Sequence, residues 1–108
     1  MNADKLKCID VRDEDDDYTI EIDDHILYAN KHSTINLPID DKYEGKFIYI
    51  IFDMECIRSI GDNKIFPTLN INDTRYWHAY HDVDYYTMTY TLHYHDEWNI
   101  ISINYVDY

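Results

Sequence analysis

The residues of this chain best suited to chemistry are carboxylates and aromatics, and they fall in two sets. The first is the run Asp13, Glu14, Asp15, Asp16 and Asp17, followed closely by Glu21, Asp23 and Asp24. The second is Asp82, Asp84, Asp96 and Glu97, interleaved with Tyr76, Trp77, Tyr80, Tyr85 and Trp98. Carboxylates beside exposed tyrosine and tryptophan suit the recognition of ammonium and guanidinium groups, through ion pairs and through cation–π contacts. Both sets therefore point to a Lys/Arg-rich partner surface. We take Asp13 to Asp17, Glu21, Asp23, Asp82, Asp84, Tyr85, Asp96, Glu97 and Trp98 as the candidate contact residues. The plainer alternative is that these acids are solubilising surface and turn residues.

A third set is histidine. His93 and His95 project from the same side of one extended segment, roughly 7 Å apart by strand rise, and His78 and His81 precede it. Such spacing can share a metal if another ligand, such as Asp82 or Asp84, converges on it. The same face carries Thr87, Thr89 and Thr91, however, where a histidine needs no function, so no metal or other cofactor is assigned. Nucleophilic catalysis finds no support. The three serines, Ser33, Ser59 and Ser102, lack a G-x-S-x-G context, and two isolated glycines make no phosphate-cradling loop. The expectation is a protein that is not an enzyme, with a small His-based metal-binding or hydrolytic β-domain as the competing class.

Charge distribution carries the same message over the whole chain. Its 22 acids and 9 bases give a net charge of −13 on 108 residues. Residues 1–24 hold ten acids and three bases, residues 25–75 seven and six, and residues 76–108 five and none. Two acidic flanks thus enclose a nearly neutral middle. Such a field attracts basic proteins and repels nucleic acid and anionic lipid. Aromatic content of 16% argues against disorder despite the charge. The polar stretch Met1 to Lys7 has no apolar core of a secretory signal, and no run is long enough to span a membrane. A cytoplasmic setting is expected, with Cys8 and Cys56 as thiols at core positions.

The elements that must position these groups read almost entirely as strands. Leu6–Val11 and the alternating Tyr18–Asp23 are expected to form a hairpin around the acidic run. His25–Tyr28 and Ile35–Leu37 are further short strands with a turn over Asn30 to Ser33, and Pro38 marks a strand end. The apolar run Phe47–Phe52 predicts a strand buried on both faces. Residues 53–60 could form one short helix capped by Asp53. Thr74–Tyr80 predicts another strand. Tyr85–His95 alternates for its whole length, with Tyr86, Met88, Tyr90, Leu92 and Tyr94 on one face, and Ile100–Tyr105 returns after a turn over Asp96–Asn99. The sum is one domain over residues 1–108, mainly β, with about seven or eight short strands in an antiparallel sandwich, open barrel or curved sheet. No internal repeat is visible.

Small size, acidity, tyrosine richness and β content together resemble two groups of inhibitors: bacterial immunity proteins that neutralise nuclease toxins, and phage-encoded DNA mimics that block restriction or CRISPR nucleases. The resemblance implies an inhibitor that occupies a basic functional surface. A near-neutral middle fits a compact plug better than an extended duplex mimic, unless the two flanks meet in the fold.

Overall fold

The computed structural model describes residues 7–11, 17–30, 33–55, 68–76 and 85–107, excepting the side chains at 54, 55, 85, 86 and 107. The expectation of a mainly β fold is met: among the described residues the helical structure is a single 3-10 turn at Asp41–Tyr43. The described residues form nine strands, β1 (Lys7–Asp10), β2 (Tyr18–Thr19), β3 (Asp24–Asn30), β4 (Thr34–Leu37), β5 (Phe47–Glu55), β6 (Thr68–Ile71), β7 (Thr74–Tyr76), β8 (Tyr85–His95) and β9 (Glu97–Asp107). They make two mixed sheets, one ordered β1-β3-β5-β8-β9 and one ordered β2-β4-β6-β7.

Through its first six strands the chain alternates between the sheets. β1, β3 and β5 lie parallel in the larger sheet, and β2, β4 and β6 lie parallel in the smaller. Parallel neighbours need a long crossover, normally a helix; here a strand of the opposite sheet fills that role. The β8–β9 hairpin and β7 then close each sheet with antiparallel pairs. The expected hairpin around the acidic run is therefore corrected. β1 and β2 belong to different sheets and so do not pair as a hairpin, while residues 11–17 separate them. Residues 12–16 lie outside the described set.

The core between the sheets follows from alternation. Ile48, Ile50 and Phe52 of β5 pair with Leu92, Tyr90 and Met88 of β8, and all six are buried. Leu27 and Ala29 of β3 extend this layer, and Ile35, Leu37, Leu69 and Ile71 face it from the smaller sheet. Phe52 and Tyr90 meet edge to face at 5.6 Å, a geometry worth about 1 kcal/mol beyond the area buried. The predicted inward face of β8 is thus observed at Met88, Tyr90, Leu92 and Tyr94.

β5 departs from expectation. Phe47 is 51% exposed and Tyr49 40%, so the run is buried on one face only. An unbroken apolar string cannot reveal that its outer side stays partly exposed. The helix considered at 53–60 is not formed over its described part, because residues 53–55 extend β5. The turn before β9 is also tighter than predicted. Asp96 alone bridges His95 and Glu97, in the left-handed region at φ 63°, so Trp98 and Asn99 belong to the strand. Cys8 sits exposed on β1 instead of in the core; Cys56 lies outside the described residues. Among the described residues no helix is long and apolar enough to cross a membrane.

Candidate binding face

Strand register gathers the charged residues at one end of the sandwich. Lys7 pairs with Asp24, Phe47 with His93, and His93 with Asn99. Asp24 and Phe47 each lie two residues before a paired position, Ile26 opposite Tyr49. A single row thus crosses all five strands of the larger sheet, about 19 Å wide at ordinary strand spacing. The β4–β5 connection with Asp40, Asp41 and Glu44, and the β6–β7 turn with Asp73, close the same end of the smaller sheet. Together with Glu21, Asp23, Asp24, Asp96 and Glu97, these place nine carboxylates at this end against Lys7, Lys42 and Lys46 among the described residues.

The face has two centres. In the first, Asp24 is fully buried (0% exposed) at the start of β3. Its Oδ2 accepts hydrogen bonds from the Tyr18 hydroxyl and from the Glu21 backbone N–H at 2.8 Å. Its carbonyl accepts from the Lys46 ammonium. Lys7 Nζ stands 3.1 Å from Glu21, 3.2 Å from Asp23 and 3.3 Å from Asp24 Oδ1. The bonds to Glu21 and Asp23 push the Lys7 ammonium above the usual lysine range, and Lys7 in turn holds Asp23 below the usual carboxylate range. Burial, then the bond to Asp24, raises the Tyr18 phenol. Burial lowers Lys46. Glu21, Asp23 and Asp24 have the spacing of a cation site, but the Lys7 ammonium already stands at their focus.

The second centre is the tip of the β8–β9 hairpin. Glu44 Oε1 accepts the Asp96 backbone N–H at 3.0 Å, and its Oε2 lies 3.2 Å from His95 Nδ1. The Asp96 N–H, then His95, lowers the Glu44 carboxyl, and Glu44 raises His95. Gly45 makes this meeting possible. It adopts φ 84°, the left-handed region that glycine enters freely, and its N–H bonds to the Tyr94 carbonyl at 2.9 Å. Glu44, His95 and Asp96 converge as a second group with ligand spacing, all three on the surface.

The contact residues read from the sequence divide unevenly. Glu21 and Asp23 lie together in the first centre, Asp96 and Glu97 at the second, and Asp17 is exposed just before β2. β1 and β3 run parallel, so Val11, bonded to the Tyr28 carbonyl, leaves β1 at the end far from Glu21 and Asp23. The acidic run and these two residues do not share one hairpin. Asp13, Glu14, Asp15, Asp16, Asp82 and Asp84, with His78, His81, Trp77, Tyr80 and Tyr108, lie outside the described residues, as does the Tyr85 side chain.

Trp98 is a correction. It is 2% exposed, donates from Nε1 to the Pro38 carbonyl at 3.0 Å, and packs on Tyr43 and Tyr94 at 5.5 and 5.1 Å. Its role is to join the two sheets beneath the acidic end. Tyr76 likewise packs partly buried against the core. Of the histidines, His93 stacks on Phe47 at 4.3 Å, while His95 turns to Glu44, so the two do not converge with each other on a ligand group. Sequence reasoning missed Lys7, Tyr18, Glu44 and Lys46. The turn at Glu44-Gly45-Lys46 is visible in the sequence, but its partner fifty residues away is not. No family model, curated protein or solved structure matches this chain.

Proposed function

We propose that this protein is an acidic inhibitor that covers a basic functional surface of another protein, as an immunity protein covers a nuclease toxin in the cytoplasm. One observation carries the reading: carboxylates from both acidic flanks lie at one end of the sandwich, Glu21 and Asp23 around Lys7 and Asp96 against Glu44 of the middle segment. Exposed ion pairs contribute little each, so the affinity of such a face comes from many charges acting together and from steered encounter. A nuclease site, electropositive because it must hold phosphates, is the matching surface. The gathering of charge at one end, about 19 Å across, supports a compact plug over a mimic of extended duplex DNA.

The test is inhibition. A basic nuclease recovered with this protein from its native host is assayed on plasmid DNA. The wild-type chain should stop cleavage in stoichiometric amount at about 50 mM salt, with affinity falling steeply towards 0.5 M as screening shortens. A Glu97→Lys, Asp96→Lys double variant should lose at least tenfold in association rate. Cleavage that continues unchanged in excess wild-type protein, or binding insensitive to salt, contradicts the proposal.

A further inference from the structure

Beside the acidic end, the two sheets part along one flank. There, β7 is the edge of the smaller sheet and β9 the edge of the larger. Between them runs a groove of about 310 Å³ lined by Ile71, Asn72, Thr74, Arg75, Tyr76, Trp98, Asn99 and Ile100. Its apolar walls come from Ile71, Tyr76, Trp98 and Ile100, all packed on the core. Asn72 fixes the two banks to each other. Its Oδ1 accepts the Trp98 backbone N–H at 2.7 Å and its Nδ2 donates to the Trp98 carbonyl at 3.0 Å. The groove is therefore lined by strand residues whose two banks are tied together at the Asn72 end.

Its mouth is acidic. Asp73 follows Asn72 in the turn, and Asp96 and Glu97 precede Trp98 on the opposite bank; all three are exposed. Arg75 stands on the β7 bank, and the accessible lining of the groove is mainly apolar. Two requirements on an occupant follow: an uncharged apolar side chain for the groove, and Lys or Arg beside it for the three carboxylates.

We infer that this groove is the anchor subsite of the acidic face, taking one leucine-sized side chain from an extended basic segment of the partner protein. The inference rests on the inhibitor reading and adds to it the character of the recognised segment. Charge alone gives rate and weak affinity; an anchor in a preformed apolar slot supplies residence time. The exposed edges of β7 and β9 offer backbone groups to an extended segment lying along the groove.

The test uses three synthetic peptides with the isotope-labelled protein in NMR titrations at low salt: Lys-Gly-Lys-Leu-Lys-Gly-Lys, the same peptide with serine for leucine, and the same with glutamate for every lysine. The leucine peptide should bind about tenfold tighter than the serine peptide, the effect of burying one leucine side chain. It should shift the Trp98 indole and the Asn99 and Ile100 amides, while the serine peptide shifts only Asp96, Glu97 and Asp73. Thr74→Trp, which fills the slot from its exposed rim, should abolish the leucine advantage, and Thr74→Lys should reduce it; far-UV circular dichroism checks that both fold.

Equal binding of the leucine and serine peptides, both tighter than the glutamate peptide, overturns the groove and leaves the acidic-face reading standing. Equal binding of the lysine and glutamate peptides defeats that reading itself. Groove shifts that appear on concentrating the protein alone would make a second copy the occupant and overturn the inference.

Discussion

Removing the Asp24 carboxylate should unfold this protein far more readily than removing its neighbour Asp23, although both contact Lys7. Asp24 is fully buried and holds the Tyr18 hydroxyl, the Glu21 N–H and the Lys7 ammonium. Breaking a buried charge network by deleting one partner costs about 3–5 kcal/mol. The lower end applies here, because the Lys7 side chain is 35% exposed and can be re-solvated, leaving chiefly the Tyr18 hydroxyl and the Glu21 N–H without their acceptor. Asp24→Ala should therefore lose about 3 kcal/mol, out of the 5–15 kcal/mol that holds an ordinary domain folded, and Tm should fall on the order of 12–20 °C. Asp24→Asn keeps the shape and one acceptor oxygen and should lose roughly 1–2 kcal/mol. Asp23→Asn, on an exposed side chain, should leave stability within error. Urea unfolding followed by far-UV circular dichroism, with unchanged m-value, measures all three. If Asp24→Ala stays within about 0.5 kcal/mol of the parent, or if Asp23→Asn costs as much, the argument that burial makes Asp24 the organising residue is wrong. The pair also separates roles: Asp23→Asn should weaken binding of a basic partner without touching stability, whereas Asp24→Ala should weaken both.

Two further outcomes follow from the hairpin tip and the core beneath it. The Asp96 N–H, then His95, lowers the folded pKa of Glu44, and Glu44 raises that of His95, so the carboxylate's contribution is present above its ordinary 4.5 and lost as pH falls through the lowered value, while the imidazolium's is present below 6.5 and lost as pH rises through the raised one. The pair is fully formed between those ordinary values; in an NMR titration His95 should titrate above 6.5, and Glu44→Gln should bring it back towards that value, an unmoved titration refuting the contact. Trp98→Phe deletes the bond to Pro38 and should cost about 1 kcal/mol, and Trp98→Ala about 3–5 kcal/mol; chemical denaturation would show it, and an unchanged midpoint for Trp98→Ala would mean that the indole is no part of the core.

Much of the secondary structure is written locally. Tyr85 to His95 alternates without a break, and the strand forms over those same residues with Met88, Tyr90, Leu92 and Tyr94 inside. Pro38 ends β4 because proline cannot donate to a ladder. The candidate site was half legible: Glu21, Asp23, Asp96 and Glu97 stand on the acidic end, whereas Trp98 went into the core because its indole found the Pro38 carbonyl across sixty residues.

What the chain determines by itself, then, is sign and texture: a net charge of −13 in two flanks, and alternation that makes strands. Period-two patterning states which side of a strand is apolar and says nothing about which sheet the strand enters. Tertiary structure decided that the first six strands go alternately to opposite sheets, that the outer face of β5 stays partly exposed, and that Glu44 reaches the β8–β9 turn. Those outcomes depend on pairings between residues far apart in sequence, whose energies arise only when the two layers close on a shared core. The placing of Glu21, Asp23 and Asp24 at the same end as Asp96 and Glu97 is one of them. Register between distant strands, and not the count of carboxylates, turned a charged chain into a charged face.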